Sequence, residues 1–412
     1  MIWSIAWRNV WRNKLRSMVI IIAVTIGLFG GVASYAFAVG LMLQRVEAAI
    51  SNEISNIQIH NPDYLENEEV KFTIKDQEKI VSQIKELDGI KAVSSRIKAL
   101  AMASTAETGT GIMLNGIDAK NEKQVTKLSK QLIEGEYITD ENRIPIVIGQ
   151  KLAIKLNARL KSKIVITTSN TEGVLTYGAF RVVGIYHTDN DMFDEMNVFV
   201  RKTELADLLG ISKNEVNEIA IALNENDQSV HIANILKDKF KNEIQQNQLI
   251  IRPWTEITPS LNAMIKMMDY FSYIFIIIIL IALAFGIVNT MLMVVMERLK
   301  ELGMLKAIGM NNKRLFSMIM LETIFLSIVG GVLGLLFSYL TIQYFGHYGL
   351  NLDSIKEGYN AIGFSSVVYP KASYPFYLGT TGLVIITAIL ASIYPARKAL
   401  KLNPAEAIQQ ND

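Results

Sequence analysis

Long apolar runs alternate with charged segments along this chain. Four of the runs contain no Asp, Glu, Lys or Arg: Ser17–Gln44, Tyr270–Met296, Thr323–Phe345 and Ala372–Ala396, which are 28, 27, 23 and 25 residues long. A hydrocarbon core about 30 Å thick is crossed by about 20 residues of helix, so the pattern favours a membrane protein over a large soluble one. We predict transmembrane helices at 17–44, 270–296, 315–345 and 372–396.

The first sixteen residues have the pattern of a helix that lies on a membrane surface. Trp3, Trp7 and Trp11 recur at i, i+4 and i+8, with Arg8 and Arg12 beside them. Indole rings favour the headgroup level of a bilayer, where cations meet lipid phosphates. Basic and aromatic residues also suit nucleic acid, but beside an apolar run an anchor is the favoured interpretation. We predict an interfacial helix at 1–16 that contacts membrane lipids, and no nucleic-acid partner.

Basic residues mark one side of the membrane. Residues 1–16 carry four Lys or Arg and no acid, the 297–314 loop carries five against two acids, and the tail at 397–412 adds three. The positive-inside rule places all three segments in the cytoplasm. The first apolar run is about twice as long as a signal-peptide core of roughly 7–15 residues, so we interpret it as an uncleaved anchor. We expect a multi-pass membrane protein with both termini cytoplasmic.

Residues 45–268 alternate between strand and helix patterns. Strand-like runs begin with "SNIQIHN" (55–61) and recur as far as residue 252, while Ile80, Ile84 and Leu87 fall on one face of a helix. The pattern predicts an α+β membrane protein in which a large extracytoplasmic α+β domain of about 220 residues separates the first two spans.

Both spans that flank this domain are expected to extend beyond the membrane. Residues 14–55 contain no proline, so one helix of roughly 60 Å is predicted at ~1.5 Å per residue. The second span is predicted to start as a helix at about Pro259, a residue tolerated in a first turn. Together the two would form a stalk. The loop at 346–371, rich in Gly, Tyr and Asn, is expected to fold against the α+β domain.

The sequence carries no motif for catalysis. It contains no G-x-x-x-x-G-K-[ST] phosphate loop, no H-E-x-x-H pair, no G-x-S-x-G elbow and no cysteine. The stretch "HTDNDMFDEM" (187–196) resembles a calcium loop but lacks its sixth-position glycine and late Glu, so a solvated acidic loop is favoured. We therefore expect no catalytic residue, no metal site and no cofactor in this chain.

Two features within the spans point to contacts. Glu322 stands alone, eight residues after Arg314, where hydration and a basic partner are equal alternatives for a carboxylate. GxxxG pairs allow close helix contact, and the chain has one in the first span and one in the third. The helix-packing candidates are Gly27, Gly31, Gly330 and Gly334. They favour packing within the chain or against another subunit.

The stretch "VMERLKELGMLKAIGMNNKRLF" (295–316) connects the second and third spans. We predict that the second span continues as a helix to about Leu302, that Gly303 breaks it, and that Met304–Ile308 forms a short helical turn ended by Gly309. Such a turn would present Met304 or Leu305 together with Lys306. Docking into a partner and a plain interhelical turn are equal interpretations on physical grounds.

Four stretches carry a resemblance to a known family. "ERLKELGMLKAIGMNNKRL" resembles the E-R-x-x-E-x-G-x-L-K-A-x-G signature of the FtsX/MacB-like ABC transporter permeases, and "YPARKALKLNPAEAI" (394–408) is similar to their C-terminal P-A-R-x-A ending. "AWRNVWRNKLRS" (6–17) and "GAFRVVGIYHTDNDMFDEMNVFV" (178–200) look more particularly like the LolC/LolE lipoprotein-releasing branch. The resemblance covers the whole chain.

The resemblance implies a mechanism and partners. The α+β domain would be a MacB-like periplasmic core with an inserted subdomain at about 119–216, and 297–314 would contain a coupling helix seated in a separate P-loop ATPase that binds ATP and Mg²⁺. Closure of the ATPases would move the α+β domains by mechanotransmission. A second copy of the permease or a paralogue would complete a dimer in the bacterial inner membrane. The implied coupling residues are Glu297, Arg298, Glu301, Gly303, Lys306 and Gly309.

The lipoprotein-releasing branch implies further positions. Its acyl-chain site between the first two spans would be lined here by Phe29, Tyr35, Phe37, Tyr273 and Phe275. Aromatic residues at such places more often face lipid or pack. A periplasmic lipoprotein chaperone is a further implied partner, but "TTSNTEGVLTYGA" (167–179) is a short hairpin without proline where the chaperone-binding hook would lie. This departure argues against chaperone docking by this subunit.

Three functions are therefore compared. The leading hypothesis is a permease subunit that releases lipoproteins from the inner membrane. The second is a MacB-like exporter of peptides or small amphiphiles from the periplasm, which would have an adaptor and an outer-membrane channel as partners. The third is an FtsX-like activator of a cell-wall hydrolase, which the large, strand-rich α+β domain disfavours.

Overall fold

Helices dominate both ends of the chain. The computed structural model describes residues 2–12 and 14–401, so residues 402–412 of the predicted tail and the last part of the C-terminal motif lie outside the described residues. The α-helices are α1 Ile2–Arg12, α2 Lys14–Ala48, α3 Pro62–Asn67, α4 Gln77–Lys85, α5 Ala119–Val125, α6 Gln150–Lys155, α7 Asp191–Met196, α8 Lys202–Leu209, α9 Ser229–Lys239, α10 Lys241–Gln245, α11 Trp254–Ile257, α12 Pro259–Glu297, α13 Leu299–Ala307, α14 Asn312–Tyr348, α15 Lys356–Ala361 and α16 Tyr374–Lys401.

The strands lie mainly between α2 and α12. They are β1 Ile57–His60, β2 Ile90–Ser104, β3 Gly109–Ile117, β4 Leu132–Gly135, β5 Pro145–Gly149, β6 Lys163–Ser169, β7 Leu175–Tyr186, β8 Asn197–Arg201, β9 Glu218–Leu223, β10 Ile250–Pro253, β11 Leu350–Asn351 and β12 Val367–Val368. The main sheet runs in the order β10-β1-β9-β2-β3-β8-β5-β7-β4, with β6 pairing β2 and β7. The prediction of an α+β membrane protein is confirmed.

The chain divides into two compact units. Of the described residues, the membrane unit contains 2–12, 14–42, Ile265–Asn351 and 367–401, and the α+β domain contains Leu43–Met264 and Leu352–Ser366. The predicted loop at 346–371 is therefore shared, because its middle part clusters with the α+β domain. In that domain a Cβ on Gly363 would lie 2.8 Å from the Arg45 guanidinium.

Four helices of the described residues are long and apolar enough to cross a membrane. They cover Ser17–Ile54, Pro259–Glu297, Asn312–Tyr348 and Tyr374–Leu400. The first consists of α2 and a π-helical turn, Ala49–Ile54, and therefore extends well beyond its apolar run. The second begins at Pro259, whose missing N–H is unneeded in a first helical turn.

The glycines of the third span bring α14 against α2. A Cβ on Gly330 would lie 2.8 Å from Val24 Cβ and 2.9 Å from the Ile21 carbonyl oxygen, and one on Gly334 would lie 3.0 Å from the Thr25 carbonyl oxygen. The Thr25 hydroxyl also donates to the Gly330 carbonyl at 3.1 Å. This pair therefore makes a contact within the chain, where only a residue without a side chain allows the backbones to approach.

The glycines of the first span face a different helix. A Cβ on Gly31 would lie 2.9 Å from Ile279 of α12, whereas one on Gly27 would be 3.8 Å from Leu283, an ordinary contact distance. The two GxxxG pairs thus do not meet each other. Small residues of α2 and α12 border a cleft of about 420 Å³ at this point: Ala23, Gly27, Gly30, Gly31, Ser34, Ala282 and Gly286.

Strand β2 joins the two parts of the α+β domain. Its first half pairs with β9 as far as Arg96, and from Ile97 onwards it pairs with β3. The inserted subdomain at about 119–216 stays a prediction, and the strand pairing shows how β2 passes between the two parts. We call the strands that pair with the first half of β2 the first strand set and those that pair with its second half the second strand set. The second set begins at Ile97, whereas α5, which follows it in the chain, packs Val125 against Ala92 and Ala220 of the first set. Because β2 continues without interruption from one strand set to the other, the sequence shows no loop or change of composition between Arg96 and Ile97.

A buried ion cluster lies where β2 passes from one strand set to the other. The Arg96 guanidinium donates to Glu122 Oε1 and to Glu218 Oε1, each at 2.7 Å, and Lys98 Nζ lies 3.2 Å from Glu218 Oε2. Burial alone would raise the pKa of Glu218, but Lys98 and Arg96 hold that pKa at about 2. Arg96, Glu122 and Glu218 are paired in the interior and Lys98 pairs with Glu218 from a partly exposed position, and such pairing is the condition for burying charges.

The packing of α14 on α2 yields a test. Gly330→Ala is expected to lower the free energy of unfolding by about 1–3 kcal/mol, because the added methyl group would overlap Val24 and Ile21. Gly331→Ala is the matched control, since a Cβ there meets no heavy atom within 4 Å and alanine is the better helix former. Thermal unfolding of both purified variants in one detergent measures the difference. Equal midpoints would contradict the contact.

Candidate functional site

The connection between the second and third spans is a separate helix. α12 ends at Glu297, Arg298 leaves the helical conformation with φ −99° and ψ 15°, and α13 then runs from Leu299 to Ala307. The predicted break at Gly303 is therefore wrong, because Gly303 lies inside α13. A single glycine costs a helix interior only about 1 kcal/mol, so contacts made by neighbouring residues decide where the helix breaks.

Both ends of the turn after α13 are fixed by hydrogen bonds. Gly309 has φ +98°, its N–H donates to the Lys306 carbonyl at 3.1 Å, and the Met310 N–H donates to the Leu305 carbonyl at 3.0 Å. This pair of bonds is a Schellman motif, which requires the left-handed conformation that glycine adopts without strain. Two residues later the Asn311 side chain accepts from the Lys313 N–H and caps α14. The predicted role of Gly309 as a helix terminator is what the geometry shows.

α13 exposes a small apolar face. Met304 is 58% exposed and Ile308 78% exposed, and their i, i+4 spacing puts them on one side. Lys306, which the sequence placed on the same surface, instead donates from Nζ to the Leu400 carbonyl of α16 at 3.3 Å. Leu305 packs partly buried against the core of the membrane unit. The exposed face therefore consists of Met304 and Ile308.

Glu322 is the centre of a buried polar network in the membrane unit. Its Oε1 accepts from Asn9 Nδ2 of α1 at 2.7 Å, and Arg298 Nη1 donates to its two oxygens at 3.2 and 2.9 Å. The side chain of Glu322 is only 6% exposed and that of Arg298 13%. Of the two alternatives left open by the sequence, the basic partner is the correct one.

Glu301 extends the network to the surface. It accepts from Arg298 Nε at 3.0 Å and from the Arg12 guanidinium of α1. The bond from Arg12 lowers the pKa of Glu301, with Arg298 acting in the same direction. Burial alone would lower the pKa of Arg298. The nearby Glu322 carboxylate outweighs this effect, so the pKa of Arg298 is raised. Both shifts favour the charged forms of Arg298 and Glu301 at neutral pH.

The network joins three helices at one place. α1 contributes Asn9 and Arg12, the start of α13 contributes Arg298 and Glu301, and α14 contributes Glu322. A cavity of about 30 Å³ beside these groups is large enough for one water molecule. α1 also lies against α14 through Trp3 and Trp7, whose rings meet Phe325 edge-on at 5.7 and 5.4 Å between centroids. Two of the predicted interfacial indoles thus contact protein as well.

Among the five predicted lining aromatics, two share a cleft. Tyr35 stacks on Phe376 of α16 with 3.5 Å between ring centroids, and Tyr273 of α12 lies beside them. The cleft has a volume of about 300 Å³ and its other walls are Ser272, Ile276, Ser373, Pro375, Gly379, Thr380 and Leu383. Phe29, Phe37 and Phe275 do not border it. The sequence missed Phe376, because the contribution of the fourth span appears only once the helices are packed.

The acidic loop at 187–196 is organised around one buried side chain. Asp194 accepts from the Thr188 N–H at 2.9 Å, from the Thr188 hydroxyl at 2.7 Å and from His187 Nδ1 at 3.0 Å. Burial raises the pKa of Asp194 while these bonds oppose that change. Within residues 2–12 and 14–401 no group of three His, Cys, Asp or Glu side chains is placed to hold a metal ion.

Two family models cover most of the chain. Residues 17–258 match the MacB-like periplasmic core domain, and residues 273–404 match the C-terminal part of the FtsX-like permeases. The first match alone spans more than half of the sequence. The chain belongs to the FtsX/MacB-like ABC transporter permease family.

Relatives of this FtsX/MacB-like permease are distant. An uncharacterized ABC transporter permease of Methanocaldococcus jannaschii is 24% identical over 277 residues, which are 67% of this chain and 65% of that permease. The lipoprotein-releasing system transmembrane protein LolC of Neisseria meningitidis is 23% identical over 342 residues, 78% of either chain. The ABC transporter permease YknZ of Bacillus subtilis is 22% identical over 420 residues, covering 98% of this chain and 97% of YknZ.

The Glu322 network yields a second test. Glu322→Gln is expected to lower the free energy of unfolding by about 2–4 kcal/mol, because it removes the buried counter-charge of Arg298 and leaves only the more exposed Glu301. Glu47→Gln is the control, since Glu47 pairs with Lys127 through side chains that are 57% and 54% exposed, and exposed pairs contribute about 0–1 kcal/mol. Denaturation in one detergent compares the two. Equal losses would show that Glu322 is not a buried partner of Arg298.

Proposed function

We propose that this permease is the membrane subunit of an ABC transporter that works by mechanotransmission and releases lipoproteins from the inner membrane towards the outer membrane. The observation that carries the proposal is the α13 turn, which is fixed at Arg298 and Gly309 and presents the apolar pair Met304 and Ile308. A short, rigid, apolar surface at the ends of the spans suits a groove on a partner.

Membership of this family implies an ATPase partner, and the proposed partner is a separate P-loop chain. That chain would bind ATP and Mg²⁺ and receive α13, with Glu297, Arg298, Glu301, Gly303, Lys306 and Gly309 as its coupling segment. The basic residues at 1–16 and 297–314 support a cytoplasmic position for α13 and for both termini, in the inner membrane of a bacterium. A second copy of the chain or a paralogue would complete the transporter.

The aromatic cleft supports lipoprotein as the cargo. Tyr35, Tyr273 and Phe376 surround a mostly apolar space between α2, α12 and α16, of a kind that accepts an acyl chain. The relative from Neisseria belongs by its name to a lipoprotein-releasing system. The β6–β7 hairpin has a turn at Asn170–Val174 without proline, so the paralogous subunit is the better candidate for binding a chaperone.

One observation favours a second candidate function. The match of residues 17–258 to the MacB-like periplasmic core also fits an exporter of peptides or small amphiphiles from the periplasm. An exporter of this kind needs an adaptor and an outer-membrane channel, whereas lipoprotein release does not.

Affinity purification of the whole chain in mild detergent, followed by mass spectrometry, tests the proposal. A small P-loop ATPase together with a second permease, or two copies of this one, would support lipoprotein release. The same ATPase with an outer-membrane adaptor would favour the exporter, and with a cell-wall hydrolase it would favour an FtsX-like activator. Recovery of no ATPase would refute the docking role of α13.

A pair of variants tests the same docking surface. Ile308→Asp should lose the ATPase in this purification. Ile154→Asp, which changes an isoleucine that is 70% exposed in the α+β domain, should retain it.

The turn at Gly309 yields a prediction about coupling. Gly309→Val is expected to reduce cargo-stimulated ATP hydrolysis about tenfold, because a β-branched residue at φ +98° costs roughly 1–3 kcal/mol and displaces the end of α13. Gly309→Asn is the control at the same site, because asparagine tolerates the left-handed conformation. ATPase rates of the assembled transporter with and without cargo measure the effect. Full stimulation in the valine variant would argue against the coupling role.

The cleft yields a prediction about cargo. A photo-reactive phenylalanine analogue in place of Tyr273 should cross-link a lipoprotein in cells, because this side chain is 65% exposed at the edge of the cleft. The same analogue at Phe285 is the control, since Phe285 lies on the same helix and is 72% exposed but does not border the cleft. Immunoblotting for acylated proteins reads the result. Equal capture at both sites would indicate general contact with lipid.

A further inference from the structure

α13 is joined to its neighbours by very different kinds of contact. Its chain connection to α12 passes through Arg298, the one residue between the two helices and itself outside the helical conformation. Backbone bonds still cross this point, from the Arg298 N–H to the Val294 carbonyl at 3.2 Å and from the Leu302 N–H to the Arg298 carbonyl at 2.9 Å. Hinges are formed by a few residues at the ends of helices or in loops that absorb changes in φ and ψ, and Arg298 occupies such a position.

Arg298 and Glu301, at the start of α13, bond to helices other than α12. Arg298 binds Glu322 of α14, and Glu301 binds Arg12 of α1. Asn9 of α1 closes the loop by donating to Glu322 at 2.7 Å. Each of the three helices is thus bonded to both others. Buried, charged hydrogen bonds of this kind fix relative orientation, because any rotation that lengthens them exposes an unpaired charge.

Beyond the network, α14 and α12 differ in how they meet α2. α14 approaches α2 so closely that a Cβ on Gly330 would overlap Val24. The Thr25 hydroxyl of α2 also donates a hydrogen bond to the Gly330 carbonyl oxygen. Between α12 and α2 lies the cleft of about 420 Å³ bordered by small residues. At the first interface the backbones approach each other and a hydrogen bond crosses, whereas at the second α12 meets Gly31 through the side chain of Ile279 and the cleft lies beside that contact. Movement of α14 is therefore passed to α2 more directly than movement of α12.

We infer that α1, α13 and the adjoining end of α14 form one rigid body held by Glu322, and that displacement of α13 reaches α2 through α14 while α12 hinges at Arg298. Asn9, Arg12, Arg298 and Glu322 are positioning residues in this scheme. The surface helix α1 then has a role besides anchoring, since it braces α13. The inference rests on the proposed function only for the origin of the displacement.

The absence of cysteine from the sequence allows spin labels to be placed cleanly. Labels at Ser4→Cys of α1 and Met304→Cys of α13, both exposed positions, report the distance between these helices in the isolated chain. Dilution with unlabelled chain removes distances between copies. We expect one narrow distance distribution, broadened at least twofold by Glu322→Gln and unchanged by Glu47→Gln. An unchanged width with Glu322→Gln would overturn the rigid body. Should that variant fail to fold, Arg12→Gln removes an exposed member of the network instead.

A second label pair tests the route of the displacement. Ser34→Cys on α2 and Tyr270→Cys on α12 report their separation when the co-purified ATPase is trapped with ADP and vanadate. We expect a shift in the parent protein that Glu322→Gln abolishes although the ATPase stays bound, and that Glu322→Asp partly restores. A full shift with Glu322→Gln would overturn the route through α14. Loss of the ATPase from the parent chain would refute the proposed function alone, since the first pair needs no ATPase.

Discussion

The pairing of Glu322 with Arg298 determines how the membrane unit is arranged at one end. A carboxylate in an apolar span is unstable unless a counter-charge and hydrogen-bond donors surround it, and Glu322 obtains both from elements far away in sequence. Because Arg298 must reach α14, the chain turns at that residue instead of continuing α12. The start of α13, the position of α1 and the exposure of Met304 and Ile308 all follow from that turn.

Small residues perform the complementary task within the spans. Side-chain charge fixes the start of α13, while the missing side chains of Gly330 and Gly334 allow α14 to lie directly on α2. The glycines of α2 serve a different neighbour and leave an open cleft. The same GxxxG spacing thus accompanies a backbone contact in one pair and a contact with an isoleucine side chain in the other, since the outcome depends on the side chains opposite each glycine.

The α+β domain shows where local pattern ceases to predict architecture. Its alternating strands and helical faces were recognisable in the sequence, but β2 serves two strand sets and no boundary signal marks Ile97. No local sequence pattern singles out Arg96, Glu122 and Glu218. They are buried together because β9 and α5 return to β2 from distant parts of the chain. Ion pairs between residues so far apart in the chain produce no periodic pattern in the sequence.

The sequence by itself determined the four spans, the α+β class and the end of α13 at Gly309. Each of these depends on local physics: the length of an apolar run, the alternation of a strand, or the ability of glycine to adopt a positive φ. Only the tertiary structure decided that α13 begins after Arg298, that Lys306 turns to α16 and that Phe376 joins Tyr35. These features depend on interactions between residues of different helices. Such interactions cannot be identified from the order of residues along the chain.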